Sequence, residues 1–244
     1  MILLVLVSFL LLATGALALP PTLEDTGFSE ANATAFTPQY PLWSDGSEKR
    51  RWLSLPAGAS IDTSNPDAWQ FPPGTRAWKE FSRDGKRIET RFIERLADGS
   101  WRYATYVWNS DGTAATLAPA EGVPAKAIPS RADCLACHEG ASVPILGYSA
   151  VQLKAKLPAA LGYLHGNCGH CHNDAGPLAN VELVLAQRAS ALPVFSARKR
   201  GELILRKMKS RNPLTRMPPL GVAIPDAEGI ALVERWLSQP ELSP

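Results

Sequence analysis

The chain has 244 residues, with 25 Lys and Arg against 23 Asp and Glu, so its formal net charge at pH 7 is +2. The hydrophobic fraction of 45% is ordinary for a globular protein and excludes a disordered or fibrous chain. The length leaves room for one large domain or two small ones, and no run of Lys or Arg indicates nucleic-acid binding.

The first residues predict an export signal. Ile2 to Leu12 is an apolar run, and Ala16 and Ala18 form an Ala-x-Ala cleavage site. We interpret residues 1–18 as a signal peptide, although no Lys or Arg precedes the apolar run, and an uncleaved N-terminal anchor is the alternative. The run is short for a membrane span, and nothing later is apolar enough to form one. The expected location is periplasmic or otherwise exported.

Residues 19–39 are rich in Pro, Thr, Ala and Asn and predict a flexible lead-in. Residues 40–120 consist of short alternating segments and predict an antiparallel β-rich domain, as a small sandwich or open barrel. Residues 88–92 and 101–108 alternate across a turn and predict a hairpin, to which residues 77–81 add a third strand. Candidate tight turns are the Asp-Gly pairs that begin at Asp45, Asp84, Asp98 and Asp111.

Two copies of the motif C-x-x-C-H follow, and they use all four cysteines of the chain. In c-type haem attachment, two thiols bond to the haem vinyl groups and the next histidine binds the iron. We therefore predict two covalent haem c groups. A zinc site with four cysteines and a pair of disulfides are alternatives, but neither explains a histidine after both pairs. The motifs are Cys134, Cys137 and His138, and Cys168, Cys171 and His172.

The rest of the chain predicts helices. Residues 121–157 form a connector that carries the first motif, and residues 158–244 form a helical domain. The helix from Pro158 has an apolar face that continues to Cys168 and so delivers this cysteine to the haem. A second helix is predicted over residues 196–210 with Ser196 as its N-cap, and a third begins at Asp226. The expected fold class is α+β, with the β-rich domain first.

Four further side chains are strong candidates to bind haem iron: His165, His170, Met208 and Met217. Met217 lies in a proline-rich loop, which holds a thioether against iron with little strain, so it is predicted to bind the second haem opposite His172. The helical spacing of Met208 indicates a pocket wall, and His170 cannot reach the far side of its own haem. His165 is the candidate sixth ligand of the first haem. The alternatives are that it packs beside the second haem and that the first has a weaker ligand or none.

Residues 158–239 resemble a class I cytochrome c domain. The resemblance rests on the helix that ends in the second motif, the Gly-Pro-Leu stretch at residues 176–178, the Arg-Met-Pro-Pro loop at residues 216–219 and a C-terminal helix with an aromatic residue. In that family the loop methionine binds the iron, a proline carbonyl hydrogen-bonds the proximal histidine, and a helix glycine packs against a C-terminal aromatic residue. The resemblance implies these roles for Met217, for Pro177, and for Gly162 with Trp236.

The mature chain also resembles a group of bacterial di-haem c-type cytochromes. The matching segments are Pro-Leu-Trp-Ser-Asp-Gly at residues 41–46, Phe-Pro-Pro-Gly-Thr at 71–75, Glu-Thr-Arg at 89–91 and Tyr-Val-Trp-Asn at 106–109. The group implies electron transfer without a defined substrate.

We therefore expect an electron carrier in a respiratory or dehydrogenase-linked chain, whose partner is a dehydrogenase, an oxidase or another cytochrome. No catalytic residue is assigned. One alternative is an enzyme of the di-haem peroxidase or oxidase type with an open site at the first haem. Another is a β module that binds a partner or a glycan, since six of the seven tryptophans lie between residues 40 and 120.

Overall fold

The computed structural model describes residues 18–124, 128–191 and 196–240. The predicted signal peptide, except for its last residue, lies outside them. In the described ranges the fold is mixed α+β, as expected, and no helix there is long and apolar enough to cross a membrane. The strands are β1 (Thr34–Ala35), β2 (Glu48–Ser54), β3 (Arg76–Arg83), β4 (Lys86–Arg95), β5 (Trp101–Trp108) and β6 (Ala115–Leu117). The α-helices are α1 (Arg131–His138), α2 (Ala150–Leu153), α3 (Ala159–Cys168), α4 (Gly201–Lys209) and α5 (Ala227–Ser238).

The six strands form one antiparallel meander in chain order. The predicted hairpin is confirmed as β4 and β5, and the predicted third strand is β3. The prediction of a sandwich or barrel is wrong, because the six strands form a single open sheet. The turn between β3 and β4 illustrates why the Asp-Gly pairs were informative. Asp84 and Gly85 both have positive φ, 51° and 71°, as a two-residue hairpin turn requires.

One face of the sheet is covered by the segment that precedes it. Leu23 and Thr26 are buried there, and the Trp78 indole N–H donates to Thr26 Oγ1 at 2.9 Å. The predicted flexible lead-in over residues 19–39 is therefore part of the fold, and it contributes a 3₁₀ turn at Glu24–Thr26 and the edge strand β1. A few apolar residues are enough to hold this segment against the sheet, because the sheet face beneath them carries the large aromatic side chains Trp52, Trp78 and Phe92.

The other face of the sheet packs against the connector. A cross-strand row of Leu53, Ala77, Ile93 and Tyr103 contacts a loop and two short helices from residues 131–153. Helix α1 begins at a capping box in which Ser130 and Asp133 satisfy each other's backbone N–H groups. The first motif therefore lies directly on the sheet. The side chains that fill this contact are Cys134, Leu135, Val143, Ile145 and Ala150.

Helices α3, α4 and α5 share a second core. Helices α3 and α5 approach closely at Gly229, where an added Cβ would lie 2.2 Å from the Tyr163 ring. At Gly162 an added Cβ would lie 2.1 Å from the Tyr40 ring, so this glycine packs against Tyr40, and its implied contact with Trp236 stays a prediction. The predicted helix at residues 196–210 is shorter than expected. A 3₁₀ turn at Ser196–Arg200 precedes α4, so Ser196 is not the N-cap of that α-helix.

Candidate cofactor-attachment site

The second motif continues directly from α3. Cys168 is the last residue of that helix, and the His172 N–H donates to the Cys168 carbonyl at 2.8 Å. The His172 carbonyl accepts from the Leu185 N–H at 2.8 Å, which fixes the turn to the following chain. In the described ranges, His172 Nδ1 is buried and has no hydrogen-bond partner, so the implied bond to the Pro177 carbonyl is not formed. A buried polar nitrogen without a partner is unusual in a folded protein, and this one belongs to the histidine of the second motif.

An apolar cavity of about 180 Å³ lies against this motif. Cys168, Cys171 and His172 line it, and so does Met217 from the proline-rich loop. The Met217 N–H donates to the Lys207 carbonyl at 3.1 Å, which fastens the loop to the end of α4. The structure therefore brings the predicted thiols, imidazole and thioether to one pocket. The apolar side chains of its wall include Leu178, Val181, Leu183, Leu185, Leu203, Ile204 and Met208.

The residues of this pocket fit a haem by their chemistry. Two thiols, an imidazole and a thioether line an apolar enclosure, and Met208 is a buried part of the wall, as its helical spacing indicated. The free volume is below the range of about 300–1,000 Å³ that is typical of ligand pockets. A haem would therefore need more room than this cavity offers.

The first motif presents its histidine in a defined tautomer. His138 Nδ1 lies 2.6 Å from the Pro144 carbonyl oxygen. A carbonyl can only accept, so Nδ1 carries the proton and Nε2 keeps a lone pair for a metal. The Tyr103 ring packs beside the imidazole, with centroids 5.2 Å apart. The proline acceptor that the resemblance assigns to the second motif thus occurs at the first, six residues after the histidine.

Three cationic side chains line the pocket of the first motif: Arg51, Lys79 and Arg91. Burial lowers the pKa of Arg51 to about 10. The pKa of Lys79 lies well below its ordinary value, first because of burial and then because of Arg51 and Arg91. Arg91 is paired with Glu89 at 2.6 Å. Sequence analysis missed this group, because its members belong to three strands and only the register shows that they are neighbours.

The two motifs meet at their second cysteines. The ligand atoms of Cys137, His170 and Cys171 all lie within 4.8 Å of one another. The hydrogen bond to Cys171, together with burial, raises the pKa of Cys137 to about 12, and the same bond lowers the pKa of Cys171.

The remaining two cysteines do not join this cluster. Cys134 packs against the sheet core and Cys168 against the helical core. The four sulfurs therefore do not converge as a four-cysteine zinc site requires, and all four cysteines are free thiols.

His165 lies apart from both attachment pockets. It lines a cavity of about 360 Å³ between residues 141–152 and 165–175, which no cysteine of either motif lines. Its Nδ1 accepts a hydrogen bond from the Gln187 N–H at 3.0 Å, so the neutral ring carries its proton on Nε2. Burial lowers the pKa of His165 to about 4. Iron ligation by His165 stays a prediction and requires this hydrogen bond to break, whereas His170 does line the pocket of the first motif.

The segment at residues 41–46 joins the sheet to the methionine loop. The Trp43 backbone N–H donates to Asn167 Oδ1 at 2.7 Å, and its indole N–H donates to the Ile224 carbonyl at 2.9 Å. The Asp45 carboxylate accepts from the N–H groups of Ala223 and Ile224, each at 2.9 Å. Sequence analysis quoted this segment only for a resemblance. Its position shows that it holds the chain that follows Met217.

No family model, no curated protein and no solved structure matches this chain. The function of this protein must therefore be inferred from the residues of the two motifs and from the groups around them.

Proposed function

We propose that this protein is an exported di-haem c-type cytochrome that passes single electrons between redox partner proteins. The observation that carries the proposal is the convergence of Cys168, Cys171, His172 and Met217 on one apolar pocket. Met217 is distant from the motif in sequence, and nothing in a disulfide or a zinc site requires a thioether there. This combination is the one that a class I cytochrome c domain uses.

At the second site, the two thiols would anchor the cofactor, and the His172 and Met217 side chains would hold its iron. The haem supplies a one-electron couple between Fe(II) and Fe(III). Histidine and methionine ligation gives a higher reduction potential than two histidines, which suits an electron carrier. The tether of the Met217 N–H to Lys207 supports a ligand that stays in place in both oxidation states.

At the first site, Cys134 and Cys137 are the proposed attachment thiols and His138 the proximal ligand. The Pro144 carbonyl orients its ring and raises its basicity as a ligand. Because Cys137 and Cys171 lie in one cluster, the attachment points of the two haems are adjacent. This adjacency supports electron transfer between the haems within the protein. A dehydrogenase, an oxidase or another cytochrome is the proposed partner.

The decisive experiment counts covalent haems. The full chain is produced in a bacterium that exports and attaches c-type haem, and its intact mass is measured after denaturation. We expect the mass of two haems, one of which is lost in Cys168→Ala/Cys171→Ala and the other in Cys134→Ala/Cys137→Ala. His170→Ala, which changes a neighbour of both motifs and no attachment thiol, is the control and keeps two. Recovery of one haem would rule out electron transfer between two haems within the protein. Recovery of none would rule out a c-type cytochrome.

A second candidate function follows from the cluster of Cys137, His170 and Cys171. Two thiols and an imidazole within 4.8 Å are three of the four ligands that zinc prefers. In that case the purified protein would contain about one zinc per chain and no covalent haem. Metal analysis of wild type and His170→Ala distinguishes the two, because the substitution removes zinc but leaves the haem count unchanged.

A further inference from the structure

Three cations lie side by side on the sheet face that carries the first motif. Arg51 on β2 is directly opposite Lys79 on β3, which in turn is directly opposite Arg91 on β4. We call these three residues the cation row. All of them line the pocket that the cysteines and histidine of the first motif also line.

The cation row is unfavourable as it stands. Like charges directly opposite each other on neighbouring strands destabilise a sheet, and a buried charge without a partner is costlier still. Arg51 is only 6% exposed. Among the described residues, no carboxylate forms an ion pair with Arg51 or Lys79. The next row on the same face is apolar, so the fold does not need cations at these positions.

The groups around the cation row do not balance its charge. Glu89 pairs with Arg91, and it is the acidic group that acts on Lys79. Lys79 and Arg91 both lie over the Phe81 ring, at 4.8 and 4.3 Å from its centroid, which offsets part of the cost. Lys49 adds a further positive charge nearby. The wall of the pocket therefore carries more basic than acidic side chains.

We propose that the cation row binds the two propionate carboxylates of the first haem, so that the β-sheet is a wall of that haem site. This inference rests on the proposed attachment of haem at Cys134 and Cys137. A haem brings two carboxylates in addition to the vinyl groups that the thiols consume. Guanidinium groups bind carboxylates in a bidentate manner, and buried cations gain most from such a partner. The sheet then has a role in holding the cofactor, and neither a glycan nor a partner protein is needed to explain it.

The sign of a stability change tests this inference. Lys79→Gln removes one charge from the row, and Lys86→Gln removes the same charge from an exposed position on β4 as the matched control. In the haem-loaded protein we expect Lys79→Gln to lower the melting temperature and to lower the midpoint potential of one haem only. The control should change neither quantity, and Lys79→Arg should restore both. If Lys79→Gln instead raises the melting temperature, relief of repulsion is the whole effect, and the inference is wrong.

A double-mutant cycle identifies the anion. In the Cys134→Ala/Cys137→Ala background the first haem is not attached, so Lys79→Gln should become stabilising there. If it remains destabilising, the row binds some other anion such as phosphate, and the inference is overturned while the cytochrome stands. If the wild-type mass shows no haem on these cysteines, the proposed function fails instead. If the cysteine variant does not accumulate, the melting temperatures of haem-loaded Lys79→Gln and Lys86→Gln still decide whether the cation row binds an anion.

Discussion

The two copies of one motif lie in opposite surroundings. The first lies on a β-sheet, its histidine is held by a proline carbonyl, and three cations line its pocket. The second lies at the end of a helix, its histidine nitrogen has no partner within the described chain, and its pocket is apolar and contains a methionine. In the proposed cytochrome, the motif would specify attachment, whereas the surroundings would specify the iron ligands and the charge. Two haems held this way would differ in potential, as a directional relay requires.

The largest effect is expected when the methionine that distinguishes the second site from the first is removed. Met217→Ala should open the sixth position of the second haem and lower its potential, because a thioether favours Fe(II). A hundredfold loss of that preference corresponds to about 120 mV. Redox titration and loss of the sulfur–iron absorption band are the measurements. Met208→Leu, a change in the wall of the same pocket, is the control and should keep the band. An unchanged band in Met217→Ala would mean that another residue binds the iron.

The next effect concerns the contact that fastens the methionine loop to the sheet. Asp45→Asn keeps one acceptor but loses the charge that strengthens the bonds to Ala223 and Ile224, at a cost of about 1–3 kcal/mol. We expect the sulfur–iron band to disappear at a lower denaturant concentration than in the wild type. Asp84→Asn is a matched control, because Asp84 has the same φ of 51° before a glycine. Equal shifts in both variants would mean that Asp45 acts only within its own turn.

Local patterns predicted much of this architecture. The Asp84-Gly85 turn, the β4–β5 hairpin and the Asp226 N-cap depend on residues close in sequence, so sequence analysis could find them. The proline-rich loop indicated Met217, which lines the pocket of the second motif, and its binding to iron stays a prediction. The cation row and the bond from Asp45 to the Ala223 N–H, 178 residues away, depend on strand register and tertiary packing. No local pattern encodes them.

Substitution of His165 tests whether helix α3, which ends at Cys168 of the second motif, also supplies an iron ligand to the first haem. In the structure the Nδ1 of His165 accepts from the Gln187 N–H, which supports a packing role for this residue, in the cavity of about 360 Å³ and not in the pocket of the second motif. We therefore expect His165→Ala to cost about 1–3 kcal/mol of unfolding free energy, because a buried N–H loses its acceptor. Both haems should keep the spin states that they have in the wild type, and carbon monoxide binding by the reduced protein should be unchanged. A first haem that becomes high-spin in this variant would instead establish His165 as its sixth ligand and contradict the packing role.

The smallest effect appears only over a range of pH. The pKa of Lys49 is about 8 in place of 10.5, first because of burial and then because of Arg51 and Arg91, while Asp226 and Asp45 oppose the shift. Between these values the unfolded chain binds more protons than the folded one, so stability contributed by this group rises with pH from about 8 to 10.5. The rise should be about 1 kcal/mol or less, because the side chain is partly solvated.

Melting temperatures at pH 7.5 and 9.5 measure that rise, and Lys49→Met should lack it. The comparison of the two sites becomes sharper when the first haem is removed. Propionates on the cation row would raise the pKa of Lys49 toward its ordinary value, so the haem-loaded protein should show a smaller rise than Cys134→Ala/Cys137→Ala. Lys86→Gln, which changes an exposed lysine on the same sheet, should leave both slopes unaltered. An identical rise with and without the first haem would place the carboxylates away from the row, because a buried negative charge so near Lys49 must oppose its deprotonation.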